Sequence, residues 1–238
     1  MTPIALHIVE AYSLCPRKAF LLMTGATPSP GPHGYEMVVR EQAEANRQAH
    51  RARLAKGGEV VPFGGPAEMA AGREIVADAD LTADGLHARC DFLTKVNESS
   101  RLGRFSYEPV KVIGTCRASK ADTLGLAYQG FVLGEVQGRL PTTGTLVLVG
   151  DHPGKVKLAG KYKEVRRIVE VLRVWTNQPA SDAPPVVLNK HCPICPFRDA
   201  CLQQAEKEDN LSLLDRMTPK LMRRYHDCLL YTSPSPRD

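Results

Sequence analysis

Leu86-His-Ala-Arg-Cys-Asp-Phe-Leu-Thr-Lys-Val96 and Arg104-Phe-Ser-Tyr-Glu-Pro-Val-Lys-Val-Ile113 are the stretches on which the fold turns. Both read as strands, and the polar segment Asn97–Ser100 between them predicts a hairpin. In the first strand the alternation breaks at Asp91, which sets a charge in an apolar run. Upstream, residues 59–84 read as short strands and turns. Residues 35–56, with many Ala, Glu, Gln and Arg, read as a long polar helix that Gly57-Gly58 ends. Ala45, Ala49 and Ala52 suggest a closely packed face on it. The Gly- and Pro-rich residues 24–34 predict a loop. Residues 7–23 repeat apolar positions at helical spacing, and Pro16 must interrupt or re-nucleate that helix. Downstream, residues 119–137 return to a helical pattern. Thr145–Gly150 and Lys155–Leu158 flank Asp-His-Pro-Gly, a second hairpin signal. Residues 160–176 are strongly amphipathic through Val165, Ile168, Val169, Leu172 and Trp175. The order helix, meander, helix, hairpin, helix predicts an α/β fold with a mixed sheet, and there is no internal repeat.

The chain has 238 residues, 43% of them hydrophobic and 24% charged, enough for one ordinary domain with a buried core. Lys and Arg exceed Asp and Glu by 31 to 26, so the formal charge of +5 permits a polyanionic partner without demanding one. No apolar run reaches the ~18 residues of a membrane span. The first residues lack a basic region followed by an apolar stretch, so no secretory signal is read and a cytoplasmic location is expected. Seven cysteines, an odd count, argue against a disulfide framework.

Three of those cysteines crowd together in Cys192-Pro-Ile-Cys195-Pro-Phe-Arg-Asp-Ala-Cys201. A Cys-x2-Cys turn points two thiolates at one ion or cluster, and a third follows where a helix can begin after Pro196. A tetrahedral zinc or a cubane cluster needs a fourth ligand. Cys15, in Leu14-Cys-Pro-Arg17, is the best candidate, and His191 can complete a zinc site instead. Cys90 and Cys116 read as small hydrophobes on or near strands.

If the two central strands pair, Asp91 and Glu108 can lie close together. Such carboxylates repel unless a cation holds them, which points to Mg²⁺ or Mn²⁺. That ion can activate water and stabilise charge on a phosphodiester, with Lys111 or Lys120 serving the attacking water. His50 lies on the long helix, and Tyr128 and Gln129 lie on the helix after the strand pair. Basic helix surfaces, Arg40, Arg47, Arg51, Arg53 and Lys56 on one helix and Lys161 to Arg173 on another, suit phosphate contact. No Walker A loop, dinucleotide fingerprint or Gly-x-Ser-x-Gly elbow is present.

Together these motifs resemble the RecB-like nucleases of the PD-(D/E)XK superfamily, in the iron–sulfur branch that includes the exonucleases of CRISPR adaptation and RecB-like proteins fused to helicases. Tyr12-Ser-Leu-Cys-Pro-Arg-Lys-Ala-Phe20 is similar to the family's opening motif, and His191 to Cys201 to its closing motif. The resemblance covers residues 5–208 and implies a restriction-endonuclease-like core, a mixed central sheet flanked by helices. Its N- and C-terminal segments would be joined by a [4Fe-4S] cluster on Cys15, Cys192, Cys195 and Cys201. It also implies that His50, Asp91 and Glu108 hold Mg²⁺ or Mn²⁺ and that a lysine two places after the acid completes the centre. Here that place is Val110, with Lys111 one position on. The family's Gln-x3-Tyr helix motif falls on Gly125 and Gln129.

The resemblance implies a metal-dependent DNA nuclease acting on single strands from an end, in repair, recombination or processing, with a helicase domain in the same polypeptide. The alternatives are a catalytically degenerate DNA-binding module and a zinc-stabilised structural protein. Residues 1–208 are the expected nuclease domain, and 209–227, through Leu211–Asp215 and Pro219–His226, begin a helical, DNA-binding element. Residues 228–238, CLLYTSPSPRD, resemble a translated sequencing adapter and read as a non-native tail.

Overall fold

Pro16 divides the N-terminal helical stretch in two. Helix α1 runs Leu6–Leu14 and α2 Pro16–Met23, with the proline in the first turn of α2, where its missing N–H costs nothing. Cys15 is left between them in extended backbone. The structure, a computed structural model, describes residues 3–28, 34–176 and 183–228. Most of the Pro-rich linker 179–185 and the tail from residue 229 lie outside those residues.

A mixed sheet forms the centre, with helices on both faces. Its strands are β1 (Ile4–Ala5), β2 (Val60–Pro62), β3 (Ile75–Ala83), β4 (Leu86–Val96), β5 (Ser106–Val112), β6 (Thr143–Leu148) and β7 (His152–Lys157). They are ordered β2-β3-β4-β5-β6-β7, and β1 adds to β4 beyond the end of β5. The β3–β4, β4–β5 and β6–β7 pairs are antiparallel, while β1–β4, β2–β3 and β5–β6 are parallel. The parallel β5–β6 pair requires a crossover, which α5 (Lys120–Gln137) supplies. Ser119 and Asp122 close a capping box at its start.

One face of the sheet packs on α1, α5 and α6 (Tyr162–Trp175) through Leu81, Leu86, Leu93, Leu124, Val132 and Ile168. Trp175 lies 5.5 Å from both Tyr12 and Phe20, which ties α6 to α1 and α2. The other face carries a smaller core of Ala77, Phe92, Val110, Val112 and Val147, covered by α3 (Gly34–Gly57). The remaining helices are α4 (Pro66–Ala70), α7 (Arg198–Lys207) and α8 (Pro219–Cys228). Residues 211–213 form only a single tight turn. Among the described residues no helix is long and apolar enough to cross a membrane.

Helix α3 does not pack through Ala45, Ala49 and Ala52, which face solvent. Its buried positions are Asn46 and His50, so polar anchors hold an otherwise polar helix. The Asn46 amide donates toward the carbonyls of Ile113 (3.1 Å), Val147 (3.3 Å) and Leu148 (2.8 Å), and its oxygen accepts from the Asp151 N–H at 3.1 Å. His50 Nδ1 meets Asp151 Oδ1 at 2.5 Å. Gly114, just past β5, allows this approach: a Cβ there would collide with the Val39 carbonyl and lie 2.8 Å from the Ala43 nitrogen.

The second hairpin turns one step earlier than its sequence suggests. Gly150 and Asp151 take positive φ (84° and 56°), and His152, Pro153 and Gly154 belong to β7. Because β7 is an edge strand, the proline costs no ladder bond.

Removing the Asn46 amide strands buried backbone groups in both α3 contacts. Asn46→Ala is expected to lower the unfolding free energy by on the order of 2–3 kcal/mol, read from urea denaturation. A loss within error would show that α3 is held by other contacts.

Candidate functional site

The break at Cys15 brings the two ends of the fold together. Cys15, Cys192, Cys195 and Cys201 line one small, largely enclosed pocket. Cys192 opens a tight turn, the Cys195 N–H closes it on the Cys192 carbonyl, and Cys201 follows on α7. The apolar walls include Leu21, Val186 and Phe197, with Arg17, Lys18 and Arg198 around them. Arg17 donates to the Pro184 carbonyl and to Gln204 Oε1, both at 2.6 Å. Lys18 Nζ lies 2.9 Å from His191 Nε2. Burial raises the Cys195 and Cys201 thiols above their ordinary range. Burial, with Lys18 alongside, lowers His191 to about 4, so its imidazole is neutral at pH 7. Cys15, Cys90, Cys116, Cys192, Cys195 and Cys201 are free thiols; Cys90 is fully buried and Cys116 exposed. Among the described residues no three His, Cys, Asp or Glu side chains meet as the shell of a single metal ion.

Asp91 marks a step in the sheet. Ala77 and Phe92 face α3, whereas Ala79 and Cys90 face the opposite helical layer, so β3 and β4 change face together. Asp78 at the step has φ 55°, a left-handed conformation that aspartate tolerates better than most residues. The flanking pairs Ala77↔Phe92 and Ala79↔Cys90 set Asp78 opposite Asp91. Like charges in that arrangement repel, and three arginines offset them. Asp78 accepts from Arg47 at 2.8 Å, Arg89 at 2.9 Å and Arg51 at 3.4 Å. Asp91 Oδ2 accepts from the Val112 N–H at 2.7 Å. Burial nevertheless raises the Asp91 carboxyl above its ordinary range, with that N–H and Arg47 acting against the rise.

The hairpin register keeps Asp91 and Glu108 apart. Glu108 pairs with Thr94, while Asp91 is bonded at Val112, four residues further along β5 and so roughly 13 Å away at ~3.3 Å per residue. Buried Glu108 accepts from Thr143 Oγ1 at 2.5 Å and forms an ion pair with Lys155. His50 is committed to Asp151 and stacks beside Phe92 with ring centroids 5.3 Å apart. Burial raises Asp151, but its bonds to His50 and Arg53 prevail and hold it below the usual carboxylate range.

Lys111 projects to the other face of the sheet and pairs with Glu10 of α1. That pair lies over Gly125, where a Cβ would come 2.8 Å from Lys111 Nζ. Lys120 pairs with Glu164 of α6 at 2.8 Å. Gln129 is buried, its Nε2 donating to the Arg89 carbonyl at 2.6 Å and its Oε1 unpartnered. Glu10, Asp78 and Arg89 do not stand out as site residues in the sequence. The signals that could have found them are a lone acid in an otherwise apolar helix and charges beside the broken alternation.

Two clefts run between α3 and the C-terminal end of β5. One, of about 700 Å³, is lined by Arg40, Glu44, Arg47, Arg89, Asp91 and Val112. The other, of about 730 Å³, is lined by Lys18, Tyr35, Arg40, Arg117, His191 and Ile194 among others. Both share Arg40, Ala43 and Val112, so they form one groove from Asp91 to the wall of the cysteine pocket. Arg40 and Arg117 are exposed, and neither makes an ion pair among the described residues. Leu14, Val39 and Ile194 give the second cleft an apolar rim. Comparison with protein-family models and with curated proteins finds no match.

The raised Asp91 carboxyl has a consequence for stability. A folded-state value above the unfolded one means that the folded protein holds the proton more tightly. The stabilisation is therefore present at low pH and lost as pH rises through the shifted value. Asp91→Asn keeps an oxygen for the Val112 N–H and removes the buried charge. The variant is expected to be more stable than the parent at pH 7 in urea titrations, with the advantage shrinking toward pH 4. A variant less stable at both pH values would contradict this account.

Proposed function

We propose that the chain is a RecB-like module of the PD-(D/E)XK type with a restriction-endonuclease-like core, which binds single-stranded DNA in its groove and has a degenerate hydrolytic centre. One observation carries this reading: the groove keeps two cations, Arg40 and Arg117, that make no ion pair among the described residues, while the groups expected to cut are bonded elsewhere. Cleavage through a divalent ion needs converging carboxylates and a cation beside the attacking water. Glu108 is held by Lys155, His50 by Asp151 and Lys111 by Glu10, and of the set only Asp91 lines the groove. Guanidinium groups on a groove with an apolar rim suit a strand whose phosphates run along the floor and whose bases lie against the rim.

Four cysteines around one pocket, with no single-ion shell among the described residues, support a [4Fe-4S] cluster on Cys15, Cys192, Cys195 and Cys201 over a single zinc. Zinc at ~2.3 Å from each sulfur would draw the thiolates to within about 4 Å of one another. A cubane binds each thiolate at a separate iron and so accommodates four cysteines around a shared pocket. Arg17, Lys18 and Arg198 offset the negative charge of such a cluster. When bound, it supplies a cross-link between the two ends of the module. A helicase domain in the same polypeptide would deliver the strand.

An active nuclease is the second reading, favoured by the position of Asp91 in the groove. In that reading Asp91 would be the ligand to Mg²⁺ or Mn²⁺ in the groove, because Glu108 lies too far along β5 and Lys111 on the opposite face of the sheet to join it.

Fluorescence anisotropy and gel assays with a single-stranded oligonucleotide and Mg²⁺ or Mn²⁺ separate these readings. Binding without product is expected. Arg40→Gln with Arg117→Gln should weaken it roughly tenfold and reduce the slope of log affinity against log salt by about 1.4, at ~0.7 for each phosphate no longer neutralised. Metal-dependent product that disappears in Asp91→Ala would establish the nuclease reading instead, and absence of binding would sink both.

A further inference from the structure

Three guanidinium groups meet at Asp78. Arg47 and Arg51 reach it from successive turns of α3 and Arg89 from β4. Arg47 has a second acid, Glu44, at 2.6 Å. Among the described residues the Arg51 and Arg89 side chains bond only to Asp78, through one N–H each. Both side chains are about half exposed (47% and 58%). The other nearby acids are Glu41, on the wall of the adjoining cleft, Asp80, which is bonded to His87, and Asp91. Asp78 itself holds a strained backbone conformation in mid-strand, and such strain persists where the surroundings require it.

We propose that Arg51 and Arg89, which both bond to Asp78, form a phosphate-binding seat beside the cleft that Arg89 and Asp91 line. Two guanidinium forks from different elements can each grip an oxygen of one phosphodiester, the geometry in which arginine recognises phosphate. The seat lies beside Asp91, at the far end of the groove from the cysteine pocket, so it would fix the register of a strand that Arg40 and Arg117 also contact. This extends the single-strand-binding reading and rests on it for its ligand.

The test uses a single-stranded oligonucleotide and inorganic pyrophosphate as separate probes. Arg51→Gln with Arg89→Gln is expected to lose at least about fivefold in oligonucleotide affinity and about 1.4 in salt slope, at ~0.7 per neutralised phosphate. Pyrophosphate should raise the melting temperature of the parent and leave that of the variant unchanged. Arg104→Gln with Lys157→Gln removes the same charge from exposed positions just before β5 and on the edge strand β7, outside both clefts, and should leave affinity within about twofold of the parent. If the double variant folds poorly by circular dichroism, Arg51→Gln alone carries the test with half the change in slope. Undiminished oligonucleotide binding in the variant overturns the seat and leaves the binding reading standing. A parent that ignores the oligonucleotide but responds to pyrophosphate, with the variant silent, keeps the seat and overturns that reading. No response to either probe overturns both.

Discussion

The meeting of Cys15 with the Cys192–Cys201 segment is the constraint on which the rest of the structure depends. Pro16 restarts the helix and leaves Cys15 extended between two helical axes, so α2 can turn toward the end of the chain. Arg17 and Lys18, in the first turn of α2, then tie down Pro184, Gln204 and His191. The opposite end of α2 packs Phe20 on Trp175. Together these contacts set α1 against the sheet, carry Glu10 to Lys111 and place Lys18, His191 and Ile194 on the groove wall. The pocket's position is therefore coupled to the shape of the groove.

On the other side of the sheet the organising feature is charge. Helix α3 offers little apolar surface and is held by the amide of Asn46 and the imidazole of His50, with Gly114 admitting its backbone. The step at Asp78 and Asp91 places two carboxylates opposite each other under three arginines. Hydrogen bonds and ion pairs satisfy these buried groups locally, as a low-dielectric interior requires. In the proposed reading that same satisfaction sets the groove apart from a hydrolytic centre, because Glu108, His50 and Lys111 are neutralised within the protein.

The mixed sheet and its helices were legible because strand alternation, the amphipathic stretch 160–176 and the Gly and Pro breaks are local signals. Pro16 re-nucleating α2 and Gly57 ending α3 follow directly from backbone chemistry. What escaped depends on register. A hairpin whose turn lies within residues 97–105 can pair in several ways, and the pairing Phe92↔Val110 separates Asp91 from Glu108. The broken alternation at Asp91 was visible. Its cause was not, because the step needs Asp78 on a different strand to break in concert. The packing face of α3 was misread as Ala45, Ala49 and Ala52, since polar anchors such as Asn46 leave no hydrophobic period. In the second hairpin Asp-His-Pro-Gly looks like a turn, but Gly150 offers the positive φ one step earlier.

Anaerobic purification followed by an absorption spectrum and metal analysis tests whether the proposed iron–sulfur cluster joins the two ends. A brown protein with a broad band at about 400 nm and about four irons per chain is expected, with colour and folding lost together in Cys192→Ala. A colourless protein carrying stoichiometric zinc, or a stable brown Cys192→Ala variant, would contradict it.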